Sequence, residues 1–488
     1  MNFVAYTVIA RLFCKQTNES VLLYGVVQPP GTGLLISIIF QSRGETGLKK
    51  TLKLGVSILS VSALLTPITT FAAATSHATH KASREKKNHI KGAVQTGVYP
   101  NLFKQAGYTQ KQIDEKVKAD WQQLFHGAPG TAVDNYFDGQ ALYYQMTPDK
   151  AYIASISSYP GTANPNDVRT EGMGYGMMIA VQLNHKKEFD SLWNYAKTYM
   201  QIKNGPTKDE FAWHTYPDGK VIDYGVAPDG DQWIAAALAF AAGRWGNGKG
   251  IYNYQMQSQQ ILHAMWHDSA AEFSKSTYLP VFSPPNAMSY TDPSYSLPAF
   301  YKVFASVDPS DKTLWNKAYT AGENLLKNAY NKKTGLAPDY SNFNGTPYMA
   351  AGESASDTSY DHNFEFDAFR VIANANVDAA WFGVKSWETT YSNTLEHFFY
   401  PIINTYGNNY ALNGTKLPTS SGHSPGLVAM NASSAISATN SHKMAFVQAL
   451  WTTSLPTGQW RYYDGLLTML GILYDSGNFR NWWHLIEN

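Results

Sequence analysis

The sequence predicts an all-α fold, an (α/α)6 barrel with six inner and six outer helices. Two observations predict it. Past residue 97 the apolar residues recur with helical period, not in strand-like alternation. Segments that are apolar nearly all round and rich in Gly and Ala also alternate with amphipathic segments, at intervals of about 60 residues. Helices apolar on every side are buried, and a regular alternation with one-sided helices describes two concentric rings. An open helical solenoid is the alternative architecture.

Residues 1–46 carry neither a signal pattern nor a domain pattern and read as an extension upstream of a true start near Gly47. The positive stretch Lys49-Lys50-Thr51-Leu52-Lys53, the apolar run Leu54 to Leu65, Pro67 and the small residues Ala72-Ala73-Ala74 follow the layout of a secretory signal over 47–74. Cleavage is expected near Ala74, giving a secreted protein. The apolar run is shorter than the ~20 residues that cross a bilayer, so no stable membrane insertion is expected. Residues 75–96 are polar and basic and read as a disordered linker. The barrel is expected over 97–488.

Within it, inner helices are expected after Glu171, Asp229, Asp292, Asp361, Pro425 and Arg461. Outer helices are expected near 109–126, 186–202, 252–267, 311–330, 378–400 and 441–452, with Lys and Glu marking solvent faces, as in His185-Lys186-Lys187-Glu188.

Composition narrows the partners. Lys and Arg total 38 against 37 Asp and Glu, and charged residues make up 15% of the chain, below the roughly 25% of ordinary soluble domains. A near-neutral chain without a basic stripe is a poor partner for nucleic acid. The 32 Tyr and 13 Trp fit a wet cleft that takes a neutral, ring-shaped ligand, although aromatics also fill cores. Cys14 is the only cysteine, so no intrachain disulfide forms. No HExxH motif or paired ligand spacing is read among the 13 His, so no metal or cofactor is expected. A monomer is expected.

Acidic residues cluster at the starts of the inner helices. Parallel helices in a ring bring these starts to one mouth, so Glu171, Asp229, Asp231, Asp292 and Asp367 are expected to converge. Capping is the competing reading for each Asp. Glu171 is the least natural cap, since Asn166, Asp167 and Thr170 stand nearby. Two convergent carboxyl groups, one kept protonated by burial or a like charge, are what glycosidic bond cleavage needs.

Four ordered motifs then carry a resemblance. Asp167-Val168-Arg169-Thr170-Glu171-Gly172-Met173-Gly174-Tyr175-Gly176 resembles the general-acid segment of glycoside hydrolase family 8. Ala227-Pro228-Asp229-Gly230-Asp231-Gln232-Trp233 resembles its signature segment, and Asp292-Pro293-Ser294-Tyr295 and Asp367-Ala368-Phe369-Arg370 resemble two more. The similarity runs from about 97 to 485. It implies an (α/α)6 barrel and inversion, with Glu171 as general acid, Asp367 as general base and Asp229 holding the sugar at the cleavage site. Asp361 and Glu365 are rivals for the base. Asp367 is preferred because Arg370, three residues on, can orient its carboxylate. Substrate contacts are expected from Tyr175, Trp213, Asp292, Tyr295, Arg370, His423 and Tyr462.

Among family members the chain is most similar to the reducing-end xylose-releasing exo-oligoxylanases, so the expected substrate is a β-1,4-xylo-oligosaccharide. Those enzymes close the cleft with a Leu-His-Pro segment. Here the matching stretch reads Gly422-His423-Ser424-Pro425, with Leu replaced and Ser interposed. An endo-acting xylanase or β-glucanase, and a non-catalytic sugar-binding barrel, are the alternatives.

Overall fold

Six buried helices carry the core, and their chemistry sets where each begins and ends. The computed structural model describes residues 7–13, 20–26, 91–128, 139–155, 167–354 and 361–483. The chain divides into two units, Met1–Glu85 and Lys86–Asn488. In the first, β1 (Thr7–Phe13) pairs antiparallel with β2 (Ser20–Val26). The expected signal over 47–74 and most of the expected linker lie outside the described residues. The end of that linker is ordered: Ala93–Thr96 forms a helical turn and Ala93 is buried. No helix among the described residues is long and apolar enough to cross a membrane.

Among its described residues the second unit holds twelve principal helices in strict alternation. The outer set is α1 (Gln110–His126), α3 (Lys186–Tyr195), α5 (Tyr254–His267), α7 (Lys312–Ala329), α9 (Ser386–Phe399) and α11 (Lys443–Thr452). The inner set is α2 (Thr170–Gln182), α4 (Pro228–Trp245), α6 (Pro298–Val307), α8 (Arg370–Phe382), α10 (Pro425–Ala432) and α12 (Tyr463–Asp475). Each inner helix packs on the next, and α12 packs back on α2. The ring is therefore closed, as the (α/α)6 reading requires, and an open solenoid is ruled out.

Local signals account for the ends. Thr109 and Gln112 close a capping box on α1. Pro228, Pro298 and Pro425 stand in the first turns of α4, α6 and α10, where a missing N–H costs nothing. Three boundaries differ from expectation. Gly383, at φ 101, ends α8 and leaves Asp378–Phe382 in the inner helix, so the outer helix expected from 378 starts at Ser386. Residues 293–295 form a 3-10 turn ahead of α6. Before α8 the chain is first extended, with Phe364 bridged to Tyr410, and then makes a 3-10 turn over Phe366–Phe369.

Short strands escaped the sequence reading because they span only two to five residues. β3 (Tyr143–Thr147) and β4 (Lys150–Ile153) form a hairpin. β5 (Val168–Arg169), β6 (His214–Thr215) and β7 (Val221–Asp223) form a small antiparallel sheet. That sheet feeds directly into α2, and Thr170 N–H donates to the Trp213 carbonyl at 3.0 Å. It thereby fixes Trp213 beside the start of α2.

The Gly-rich face of α2 allows a close approach to α4. A Cβ on Gly174 would sit 2.6 Å from Trp233 Cβ and 3.0 Å from the Gly230 carbonyl oxygen, and one on Gly230 would sit 2.4 Å from Thr170 Oγ1. Gly174→Ala should therefore force the two helices apart and destabilise the barrel by about 1–3 kcal/mol. Thermal and urea unfolding measure it; unchanged stability would show that this contact relaxes freely.

Candidate active site

The inner helices start at one mouth. A cleft of ≈ 500 Å³ opens there, and each inner helix or the turn before it contributes: Glu171, Asp229, Tyr295, Asp367, Ser424 and Tyr463 all line it. Its size suits a small ligand or several sugar rings. Trp213, Trp460 and Tyr462 add aromatic wall, and Trp460 is 61% exposed.

Arg370 organises the floor. Its Nη1 donates to Asp229 Oδ2 at 2.6 Å, to the Tyr175 hydroxyl oxygen at 2.7 Å and to Glu171 Oε2 at 3.1 Å. Its Nη2 donates to Ser294 Oγ at 2.8 Å and forms ion pairs with Asp367 Oδ1 at 3.0 Å and Asp292 Oδ2 at 3.7 Å. Glu171 and Arg370, 199 positions apart in the chain, meet at this guanidinium. The Glu171 and Asp367 oxygens each contact this guanidinium. Their separation therefore has a ceiling of roughly 8–9 Å, which admits both the ~5 Å of a retaining pair and the lower part of the ~6.5–9.5 Å window of an inverting one.

The electrostatics follow from the count of charges. One cation, itself buried, faces four carboxyl groups in a desolvated pocket. Burial pushes the Glu171 carboxyl up to about 8; Arg370 opposes the shift, and Asp229 and Asp367 add to it. Burial also raises Asp229 and Asp292, with Asp367 adding to both. The Arg370 guanidinium would be lowered by burial, but the surrounding anions, Asp367 foremost, hold it well above its ordinary value. Glu171 retains 17% side-chain exposure toward the cleft, so a proton it keeps is deliverable to a ligand. Asp367 is more open, at 26%, pairs with Arg370 and accepts a hydrogen bond from the Tyr463 hydroxyl at 3.3 Å.

The expected residues divide between wall and support. Glu171, Asp229, Asp367, Trp213, Tyr295 and Tyr462 line the cleft as expected. Tyr175, Asp292 and Arg370 were expected to touch substrate but are buried behind it. The reason is geometric: Tyr175 lies one turn into α2, and Asp292 Oδ1 accepts from Ser294 N–H at 2.6 Å, as a cap. Asp231 does not converge with the others. It points away, fully buried, and accepts from Phe211 N–H at 2.9 Å. Glu365 is also buried and bonds Asn409 Nδ2 at 3.0 Å, while Asp361 is outside the cleft lining, which leaves Asp367 as the carboxylate facing Glu171.

His423 is exposed beside the cleft and not part of its lining, while its neighbours Ser424 and Asn408 are. Its Nδ1 donates to the Tyr406 carbonyl oxygen at 3.0 Å, and among the described residues Nε2 has no hydrogen-bond partner. Ser424, the interposed residue, caps α10 through Leu427 N–H at 3.1 Å and donates to Asp464 on α12.

Sequence reasoning missed Ser294, Tyr463, Asn408 and Trp460. Ser294 sits inside a quoted motif and Tyr463 directly follows the expected contact Tyr462, so adjacency was a usable signal. Asn408 belongs to a loop far from any motif and carried none.

The profile of glycosyl hydrolases family 8 matches residues 149–477. The reducing-end xylose-releasing exo-oligoxylanase Rex8A of Paenibacillus barcinonensis is 39% identical over 398 residues, covering 80% of this chain and 98% of that protein. The solved structure of Rex8A complexed with xylose superposes with a TM-score of 0.73 at 38% identity, covering 80% of this chain and 99% of the other. Endoglucanase 2 of Ruminiclostridium josui is more distant, 30% identical over 324 residues, covering 64% of this chain and 65% of that protein.

A group that must carry a proton to act, and that loses it near pH 8, sets the alkaline limb of a rate profile. kcat/KM on natural glycosides should fall as pH rises through about 8, the value to which burial pushes Glu171. On a substrate with an activated leaving group, Glu171→Gln should lack that limb. A profile limb unmoved by the substitution would assign it to another group.

Proposed function

The chain belongs to family 8 of the glycosyl hydrolases, and from that premise we propose that it hydrolyses β-1,4-xylo-oligosaccharides with inversion, releasing xylose from the reducing end. The observation that carries the reading is the gathering of Glu171, Asp229 and Asp367 on the Arg370 guanidinium at the cleft floor. Glu171 is the general acid. Its proton, retained through burial, passes to the glycosidic oxygen as the bond to the anomeric carbon breaks. Asp367 is the general base. It takes a proton from a water placed between it and the sugar, and that water attacks the anomeric carbon from the face opposite the leaving group. Asp229, 3% exposed and anchored by Arg370 and Gly230 N–H, offers a fixed oxygen to the sugar hydroxyls at the cleavage point.

Reducing-end selectivity is assigned to the loop around His423. Its free Nε2 is available to the anomeric hydroxyl, which only a chain end possesses. A site that bonds this hydroxyl rejects internal linkages, because its polar group would be left unpaired. One observation favours the endo reading: a Cβ on Gly422 would meet nothing within 4 Å, so no side chain there narrows the cleft as the Leu of the similar enzymes does. Export through the 47–74 segment is part of the same proposal, since oligosaccharides of plant cell wall origin lie outside the cell.

Glu171→Gln should lower kcat/KM on xylotriose by about 10²–10⁴-fold while sparing aryl glycosides with good leaving groups; Asp367→Asn should lower both by a similar factor. Proton NMR of the first products should show the α-anomer. A β-anomer, or near-normal turnover by Asp367→Asn, would overturn the roles.

Xylo-oligosaccharides labelled at the reducing end should release labelled xylose first, and His423→Ala should weaken that preference. Rapid viscosity loss on soluble xylan with long mixed products would replace the exo reading by the endo one.

A further inference from the structure

Away from the cleft, two imidazoles and a carboxylate converge. His263 and His267 lie one turn apart on α5, a ligand spacing the sequence reading passed over, and Asp311 immediately precedes α7. His263 Nδ1 is 3.3 Å from Asp311 Oδ2, and His267 Nε2 is 2.9 Å from both Asp311 oxygens. One ligand atom from each residue falls within 4.8 Å of the other two. The imidazoles stack with centroids 4.1 Å apart and planes 20° from parallel, so both present a ring nitrogen to the same side.

We propose that His263, His267 and Asp311 form a binding site for a divalent transition-metal ion of the zinc type, with water completing the shell. Two imidazole nitrogens and one carboxylate oxygen are donors that suit Zn²⁺ and its neighbours, not the all-oxygen shells of Mg²⁺ or Ca²⁺. Bonds of about 2.0–2.2 Å in a tetrahedron put neighbouring donor atoms roughly 3–3.5 Å apart. The two His–Asp distances already lie at that edge length or just inside it. In the absence of metal the carboxylate bridges the two rings; the ion takes the place of the shared protons.

The three ligands are held by well-packed elements. Trp266 and Trp315 are fully buried and meet edge-on at 5.3 Å between α5 and α7. Gln259 Nε2 donates to the Val307 carbonyl at 2.7 Å, tying α5 to the chain just ahead of Asp311. Asp311 makes no side-chain cap bond to α7, so its oxygens serve the imidazoles. His263 is 60% exposed and His267 37%, which gives an ion in solution direct access. None of the three ligands lines the cleft. The ion is therefore a staple between two outer helices and takes no part in the hydrolysis. A second acidic group, Glu323, Asp378 and Glu388, differs in kind: Lys385 Nζ already stands among them at 2.5, 2.5 and 3.6 Å and supplies the cation.

The test is calorimetric titration of untagged, EDTA-treated protein with ZnCl₂, beside the H263Q/H267Q and D311N variants. One equivalent should bind to the unmodified protein. Affinity should fall at least about tenfold in D311N and vanish in H263Q/H267Q. Zn²⁺ should raise the Tm of the unmodified protein and leave that of H263Q/H267Q unchanged, with xylo-oligosaccharide turnover the same in both. Since His263 is a surface residue, H263Q alone offers a folded control. Equal titration of the unmodified protein and H263Q/H267Q would overturn the site, as would zinc uptake indifferent to D311N.

Discussion

A single guanidinium holds the catalytic mouth together. Arg370 contacts side chains from α2, from α4, from the turn before α6 and from the turn before its own helix. Each partner comes from a different part of the ring, so the contact fixes four helix starts relative to one another. It also fixes the proton count. A buried cation with one nearby carboxylate would leave both ionised. With Glu171, Asp229, Asp292 and Asp367 all within 3.7 Å of it, the cation cannot compensate every charge, and some carboxyl groups keep their protons. Glu171 is one such group with access to the cleft, so burial leaves a proton available at the cleft wall.

That arrangement depends on how closely α2 and α4 pack. Glu171 and Asp229 share one nitrogen of Arg370 because the backbones of their helices nearly touch at Gly174 and Gly230. Gly172 serves the neighbouring contact: a Cβ there would lie 2.6 Å from the Tyr462 ring, which borders Glu171 and contributes to its desolvation. The glycines of the acid motif are thus read most simply as packing requirements that carry an electrostatic consequence. Wider spacing would admit water, and water would return Glu171 toward an ordinary carboxyl.

Much of this could be read from the residues, and the failures have physical causes. The alternation of all-round apolar and one-sided helices located all twelve, because burial on every side leaves a compositional trace over a dozen residues. The carboxylates at helix starts converged because parallel helices leave them no alternative. Asp231 shows the limit of that reasoning. It lies two residues beyond Asp229, about 200° further round the helix, so it faces Phe211 and the interior. Asp292 and Tyr175 were placed against substrate because motif membership does not distinguish a residue that touches the ligand from one that holds such a residue in place. The two- and three-residue strands, and the 3-10 turn that carries Asp367, are too short to leave any period. His263 and His267 were passed over since attention went to catalytic spacings, and their third partner, Asp311, is 44 residues away from the nearer imidazole.

Chemistry and selectivity occupy different parts of the chain. Glu171, Asp367 and the Arg370 cation they share sit on helix starts and tight turns, where packing on all sides leaves little room to vary. The loop to which reducing-end selectivity is proposed to belong runs between α9 and α10 and is tied at three points: His423 to the Tyr406 carbonyl, Ser424 to the first turn of α10, and Ser424 again to Asp464 on α12. Replacing a bulky wall residue by Gly422 alters what the loop excludes without disturbing any of these ties. The inserted Ser424 takes up the capping of α10 itself. The loop can therefore change its wall while the mouth beneath it, set by Arg370, keeps the same pair of carboxyl groups and the same division of protons between them.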